Sequence, residues 1–238
     1  MFLYGKNSVY ERLKVNSRSI RKIFLQDNFK DSDIEPLLKE KKVATVYLPE
    51  NKLYKIKPGQ NLQGIVAEVD YFAYADFDML LTASQDKKTV LILLDRIYDP
   101  QNLGAIIRTA ACFGNFAVVI PKHKACPVTE VVLHVAQGAE NYVPVALVSN
   151  LSNAIIAAKK SGCWILGAVT QDQAQDITTV SLPFPLALVM GSEGQGVRYG
   201  VDKYLDIKAR IPMKGAAISF NVTIACAIFC YEIGKQRG

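Results

Sequence analysis

Histidine is nearly absent from this chain, with only His123 and His134 among 238 residues. Both fall outside the motifs described below, which argues against His-centred chemistry and leaves them as surface or structural residues. Cysteine is sparse: Cys112, Cys126, Cys163, Cys226 and Cys230 make an odd set without a Cys-x-x-Cys pair. Each sits in or beside an apolar stretch, so buried, reduced thiols in a cytoplasmic protein are expected rather than a disulfide framework. Cys226 and Cys230 stand four residues apart on one helix but lack further ligands nearby, and no metal site is expected. Long hydrophobic runs are missing too, because Pro, Gly or charge interrupts each one, and this excludes a transmembrane span. Residues 1–25 carry Lys6, Glu11, Arg12, Lys14, Arg18, Arg21 and Lys22 without a continuous apolar segment, so no signal peptide is expected.

Half of the residues are apolar, enough for a sizeable core, and the length suits one large domain or a small one plus a medium one. The net charge of +6 is unevenly spread. Residues 1–75 hold 13 Lys/Arg against 9 Asp/Glu, twice the excess of the longer remainder with 15 against 13. An N-terminal part that meets phosphate would show this bias, although solvated surfaces of ordinary proteins show it as well.

The N-terminal region alternates short helical and strand signals. Helices are predicted over 8–13, 32–41 and 50–55, and strands over 22–26, 43–48 and 64–69. Ser32-x-x-Glu35 has the pattern of a capping box at the start of the second helix. Residues 71–88 read as a linker with one short helix. From Thr89 onward strand and helix alternate regularly. Val90 to Leu94 is a continuous apolar run, as in a parallel strand covered on both faces. Further strands are predicted over 116–120, 143–148, 163–168, 186–190 and 205–211, and helices over 103–113, 128–137, 150–160 and 219–233. The result is an α/β chain with a mostly parallel sheet.

Three blocks in the last two-thirds carry the chemistry. The first is Asn102-Leu103-Gly104-Ala105-Ile106-Ile107-Arg108-Thr109-Ala110, introduced by Leu94-Asp95 and Asp99-Pro100. It places Asn102 and Arg108 around a strand-to-helix turn, where parallel sheets bind ligands. In isolation the pair reads more simply as a helix cap at Asn102 and a solvated helix residue at Arg108. The second block is Met190-Gly191-Ser192-Glu193-Gly194-Gln195-Gly196-Val197. Its glycines follow G-x-x-G-x-G rather than the dinucleotide-binding G-x-G-x-x-G, and no Gly-Lys-Ser/Thr follows, so neither a Rossmann fingerprint nor a P-loop is present. The glycines suggest a turn whose backbone comes close to a flat ligand. The third block is Ile211-Pro212-Met213-Lys214-Gly215, followed by Ser219-Phe220-Asn221-Val222 and a last apolar helix, with Ser219 as a plausible N-cap.

Together and in this order the blocks resemble the three motifs of the SpoU/TrmH-type RNA ribose 2′-O-methyltransferases of the SPOUT superfamily. The resemblance runs from about Thr89 to the C-terminus. It implies a catalytic domain over 89–238 with a trefoil-knotted, mostly parallel sheet (the α/β knot), a feature that ordinary topology rules would not supply. It also implies S-adenosylmethionine as cofactor, no metal, and a homodimer whose second subunit helps to build the site. By resemblance Arg108 is the catalytic arginine and Asn102 orders it, while Glu193, Ser219 and Asn221 stand at the reacting centre. Gly191, Ile211 and Phe220 would contact the cofactor, although most relatives carry Leu where Phe220 stands. The family proposal makes the arginine the base. A guanidinium is ordinarily never deprotonated, so Arg108 could instead align the 2′-hydroxyl through a neighbouring phosphate while Glu193 or a water relay takes the proton.

The N-terminal block Tyr4-Gly5-Lys6-Asn7-Ser8-Val9-Tyr10-Glu11-Arg12-Leu13 resembles the substrate-binding domain of the family's large-subunit rRNA branch. This implies a ribosomal-protein-like RNA-binding domain over 1–70 and a guanosine ribose in large-subunit (23S) rRNA as target. Lys6, Arg12, Arg18, Arg21 and Lys22 are the candidates for contact with the RNA backbone. The competing readings are a tRNA ribose methyltransferase, a non-catalytic RNA-binding or ribosome-assembly factor on the same fold, and, more distantly, a Rossmann oxidoreductase.

Overall fold

The structure is a computed structural model that describes every residue except Lys87, Lys88, Glu193, Gln195, Ala217 and Gly238. The chain begins with β1 (Phe2–Tyr4), α1 (Lys6–Asn16), β2 (Ile20–Gln26), α2 (Ile34–Lys41), β3 (Thr45–Leu48), α3 (Glu50–Ile56) and β4 (Ile65–Val69). Next come α4 (Phe77–Asp86), β5 (Val90–Leu94), α5 (Pro100–Phe113), β6 (Phe116–Pro121), α6 (Glu130–Ala136), β7 (Val145–Val148), α7 (Leu151–Lys160) and β8 (Trp164–Ala168). The last elements are β9 (Gln175–Asp176), β10 (Leu186–Met190), α8 (Tyr199–Asp202), β11 (Ile207–Arg210) and α9 (Val222–Arg237). Of these, β1, β9 and α8 lack a signal long enough to be read from periodicity.

Two compact units result: residues 1–73 with 128–142, and residues 74–127 with 143–238. In the first, four strands lie in the order β1-β4-β2-β3, with β2 and β3 parallel and the other pairs antiparallel. Ile23 and Leu25 share a buried face with their cross-strand partners Ala67 and Ile65. On the opposite face Val66 and Tyr4 pack with Leu53 of α3. The predicted capping box takes a shifted form. Asp31, not Ser32, receives the free amides of Asp33 and Ile34, at 3.1 Å each, and Glu35 reaches back to the Asp31 amide. A longer, charged side chain one residue earlier thus satisfies the orphan donors of the first turn. His134 of α6 stacks on Tyr4, with ring centroids 4.1 Å apart, and its Nδ1 lies 3.3 Å from the Tyr4 carbonyl. That histidine is structural, and His123 is exposed.

In the second unit, seven strands run in the order β7-β6-β5-β10-β8-β11-β9, with every pairing parallel. Every residue of Val90 to Leu94 is inaccessible to solvent, as a continuous apolar strand between two layers must be. At about 1.5–3 kcal/mol for each fully buried large apolar side chain, such strands supply most of the drive for the fold. The stretch 71–88, expected as a linker with one short helix, supplies that helix as α4, whose Leu80 and Leu81 are buried with Leu91 and Leu93 in one core cluster. Late in the chain, β10 enters between β5 and β8, and β11 follows on the far side of β8. From there α9 returns to pack along α5. A late strand inserted between two earlier ones departs from the sequential winding of an open α/β sheet. Four cysteines are buried as expected, and Cys112, on the outer side of α5, is exposed.

Candidate active site

At the C-terminal ends of three adjacent strands the chain leaves a cavity of about 270 Å³. Its floor is formed by Met190 at the end of β10, Ala168 at the end of β8 and Arg210 at the end of β11. This is where a parallel sheet presents ligand-binding loops, close to the point at which the strand order reverses. Two segments close over it. One is the glycine turn after β10, contributing Gly191, Ser192, Gly194 and Gly196. The other leads from β11 into α9, contributing Ile211, Met213, Ser219 and Phe220. Val222, Ala225 and Phe229 of α9 form an apolar back wall.

The glycine turn is tight. The Gly196 amide donates to the Ser192 carbonyl at 2.9 Å. A Cβ on Gly191 would lie 2.1 Å from the Gly196 carbonyl carbon and 2.2 Å from the Val197 nitrogen. Backbone offers no room to give, so only glycine permits this return of the chain. The sequence pattern thus located a close backbone approach at Gly191, and the first thing it accommodates is the turn itself.

A buried acid latches that turn. Asp95, 1% exposed, follows β5, and its amide donates to the Met190 carbonyl at 2.8 Å. Its Oδ2 accepts the Arg198 backbone N–H at 3.1 Å, and its Oδ1 ion-pairs with the Arg198 guanidinium at 3.2 Å. Arg96, in a left-handed backbone conformation at φ 62°, ion-pairs with the same carboxylate at 3.6 Å and donates to the Gly196 carbonyl at 3.3 Å. Sequence reasoning noted Leu94-Asp95 only as an introduction to the first block. The signal was an acid directly after a wholly apolar strand, where a charge survives only if paired.

Asn102 is 8% exposed on the third residue of α5, and Asp99 caps that helix through the Gln101 amide, so Asn102 is not the cap. Its Oδ1 accepts from Asn221 Nδ2 at 3.3 Å. Asn221 caps α9, since its Oδ1 accepts the Thr223 amide at 2.8 Å and the Thr223 hydroxyl at 2.6 Å. That leaves the amide nitrogen of Asn221 aimed at Asn102. The cap predicted at Ser219 is therefore corrected: the helix begins two residues later than that cap would start it, and Ser219 lines the cavity instead.

The remaining site residues divide. Gly191, Ile211, Ser219 and Phe220 gather around the cavity, and Asn221 and Asn102 adjoin it through the bond just described. Glu193 lies outside the described residues. Arg108 is exposed and does not line the cavity. Six residues along an α-helix rotate a side chain by about 600°. Arg108 accordingly sits on the outer stripe of α5 with Ala105 and Cys112, whereas Asn102 faces inward. The two do not converge on one pocket within a single chain.

Among the basic candidates of the first unit, Arg12 is a correction. It is buried, ion-paired with Glu140 at 3.0 Å and within hydrogen-bond reach of the Ser19 hydroxyl at 3.2 Å. A guanidinium held there cannot meet a phosphate. Burial pushes the Glu140 carboxyl above its ordinary range despite the opposing Arg12 charge. Lys6 ion-pairs with Asp31 at 2.9 Å and holds that carboxyl below its ordinary range, and Arg21 pairs with Asp70 at the surface. Arg18 and Lys22 are exposed.

Comparison with known proteins matches residues 89–231 to the SpoU rRNA Methylase family, and residues 2–75 to a family described as RNA 2′-O ribose methyltransferase substrate binding. A protein of Staphylococcus haemolyticus, named for the TrmH family of tRNA/rRNA methyltransferases, is 35% identical over 99% of this chain and 95% of its own. The 23S rRNA (guanosine-2′-O-)-methyltransferase RlmB of Coxiella burnetii is also 35% identical, with the same coverage of both chains. The SpoU methyltransferase AviRb of Streptomyces viridochromogenes, solved with the cofactor AdoMet, aligns with all of this chain and 90% of its own at a TM-score of 0.81 and 20% identity, so the fold is the α/β SPOUT fold. With residues 89–231, more than half of the sequence, matched to that family and residues 2–75 matched separately, the chain belongs to the SpoU rRNA methylase family.

Proposed function

We propose that this protein transfers a methyl group from S-adenosylmethionine to a ribose 2′-hydroxyl of RNA, and that its target is a guanosine in large-subunit rRNA. The observation that carries the reading is the cavity. The second and third sequence blocks line it at the ends of β10 and β11, and Asn221 ties the third to Asn102 of the first, 119 residues earlier in the chain. The cavity suits that cofactor. Its volume is near the lower end of small-molecule sites, roughly 300–1,000 Å³, its back wall is apolar, and the turn at Gly191 exposes backbone beside it. AviRb, which shares the fold, was solved with AdoMet. The rRNA assignment draws on the Coxiella relative and on the match of residues 2–75 to a substrate-binding family.

Bound there, S-adenosylmethionine supplies an electrophilic methyl on a sulfonium. The chain's own task is to hold the hydroxyl in line, and positioning of this kind is worth about 7–11 kcal/mol when the geometry is ideal. Asn221 caps α9 beside the cavity, and its amide nitrogen ties Asn102 of α5 to that helix start. Arg108 pairs with a phosphate next to the target ribose, keeping its proton as guanidinium does, and Glu193, next to Ser192 in sequence, accepts the hydroxyl proton. Arg108 reaches the cavity of a second copy. The outer stripe of α5 and the neighbouring face of α9 leave Phe113, Ile224 and Tyr231 exposed, which suits a homodimer formed through these helices.

Labelled methyl transfer to unmodified large-subunit rRNA and, separately, to unmodified tRNA tests the reading. Arg108-dependent label in rRNA alone, protecting one ribose from alkaline cleavage, is expected. Label in tRNA alone would keep the chemistry and overturn the substrate. No label in either, with RNA still bound, would point to a non-catalytic RNA-binding factor.

A further inference from the structure

The described lining of the cavity contains one charged side chain, Arg210. Around it are apolar groups, backbone, and the hydroxyls of Thr170, Ser192 and Ser219. The Arg210 side chain is 39% exposed, so water at the cavity mouth solvates the charge and leaves it open to exchange for a ligand anion. Among the described residues, the nearby anions leave that exchange open. Asp172 is 3.4 Å away, but its side chain is 96% exposed. Pairs of that kind contribute little, since water already solvates the acid. Asp176, the cross-strand neighbour of Arg210, has its Oδ1 occupied by the Thr178 amide and hydroxyl at 2.8 and 2.7 Å.

The position of Arg210, by contrast, is well determined. It closes β11, and its carbonyl accepts the Ile177 amide at 3.0 Å. The preceding Ala209 accepts from Val169 at 2.9 Å and is fully buried. Alternation along the strand therefore turns Arg210 away from the face that Ala209 buries, and Val169 and Thr170, at the end of β8, line the cavity with it.

S-adenosylmethionine is an uncharged nucleoside joined through sulfur to an α-amino acid, whose carboxylate is its only anion. The aromatic and aliphatic wall from α9 suits the nucleoside. We propose that Arg210 binds the carboxylate of the cofactor's amino-acid end, exchanging the solvated Asp172 for a ligand anion, and so selects for the intact amino acid. A planar guanidinium matches a carboxylate in a bidentate way that an ammonium does not. The inference rests on S-adenosylmethionine as the cofactor.

The test is calorimetric binding of two ligands to wild type, Arg210→Gln and Arg210→Lys. S-adenosylhomocysteine carries the amino-acid end, and 5′-methylthioadenosine is the same thioether nucleoside without it. For wild type, tighter binding of S-adenosylhomocysteine is expected. Arg210→Gln should weaken S-adenosylhomocysteine about tenfold, the scale of one charge-assisted hydrogen bond, and change 5′-methylthioadenosine less than twofold. Arg210→Lys should recover part of the loss. Equal weakening of both ligands would reduce Arg210 to wall packing and overturn the proposal, as would no weakening of either. Unchanged nucleoside affinities with weaker RNA binding would assign the guanidinium to a phosphate and overturn it equally. If wild type bound neither nucleoside, the cofactor reading itself would fail, an outcome visible before any variant is made.

Discussion

Arg12 in the first unit and Arg108 in the second occupy similar places in their sequences: each lies on an early helix of its motif, and each was a candidate for contact with RNA. The structure treats them oppositely. Arg12 is drawn into the interior by Glu140, which arrives from 128 residues further along the chain. Arg108 stays on the outer stripe of α5, with no ion pair to a described residue. A guanidinium becomes structural when the fold delivers a carboxylate to it out of water, and stays available when none arrives. Local sequence does not reveal which of these occurs, because the deciding partner is remote.

Arg108→Ala offers the sharpest break of that comparison. Methyl transfer should fall by roughly 10²–10³-fold, the range seen when one charge-stabilising donor is removed from a reacting centre. The melting temperature should barely move, because surface substitutions stay within about 0.5 kcal/mol. A large loss of stability with little loss of rate would place Arg108 with Arg12. The converse experiment is Arg12→Ala, which strands a buried carboxylate and should cost about 3–5 kcal/mol by denaturant titration. Its sign with pH is specific. Burial already raises the Glu140 carboxyl above 4.5, so the folded state holds its proton longer than the unfolded chain does. Glu140's contribution is therefore fully present below 4.5 and is lost as pH rises through the folded value. The variant should lose more stability at neutral pH than at pH 4, and Arg12→Met with Glu140→Leu should restore much of it.

Asp95 sharpens the comparison from the other side, as a buried acid whose partners hold a functional turn rather than a hydrophobic core. Asp95→Asn keeps an acceptor for the Arg198 amide and removes the charge that gathers Arg96 and Arg198. S-adenosylhomocysteine should bind about tenfold more weakly by calorimetry, the scale of one charged hydrogen bond. Unchanged affinity would show that the glycine turn holds its shape through Gly191 and its backbone bond alone.

Much of this was legible in the sequence. Val90–Leu94 and Leu186–Met190 were read at their observed bounds, because fully buried parallel strands are apolar throughout. The cavity residues Gly191, Ile211, Ser219 and Phe220 came from motif order, not periodicity. Missing from that reading were effects that depend on long-range encounters. Asp31 replaced Ser32 as the cap, Asp95 became a latch, and residues 128–142 joined the N-terminal unit although they lie within the span read as catalytic. Two-residue β9 pairs with β11 and has no pattern long enough to read. Arg210 looked like any strand-end arginine until the sheet placed it at the cavity.

The smallest expected effect concerns Glu130, ten residues before Glu140 and opposite to it in behaviour. Burial on its own would raise this carboxyl. It is outweighed by the Lys57 ion pair, the Phe2 amide at 2.7 Å and the N-terminal ammonium, which together hold it below its ordinary value of 4.5. A depressed carboxyl contributes stability above its unfolded value and loses it as pH falls through the folded one. Acid should therefore remove the contribution of Glu130 from about pH 4.5 downward, over the range where that of Glu140 is retained. Glu130→Gln should lower the melting temperature slightly at neutral pH and flatten its decline in acid, with little effect on methyl transfer. If the acid limb of the Glu130→Gln profile overlays that of wild type, the attachment of β1 to α6 does not depend on that charge, and the Phe2 amide bond alone accounts for the contact.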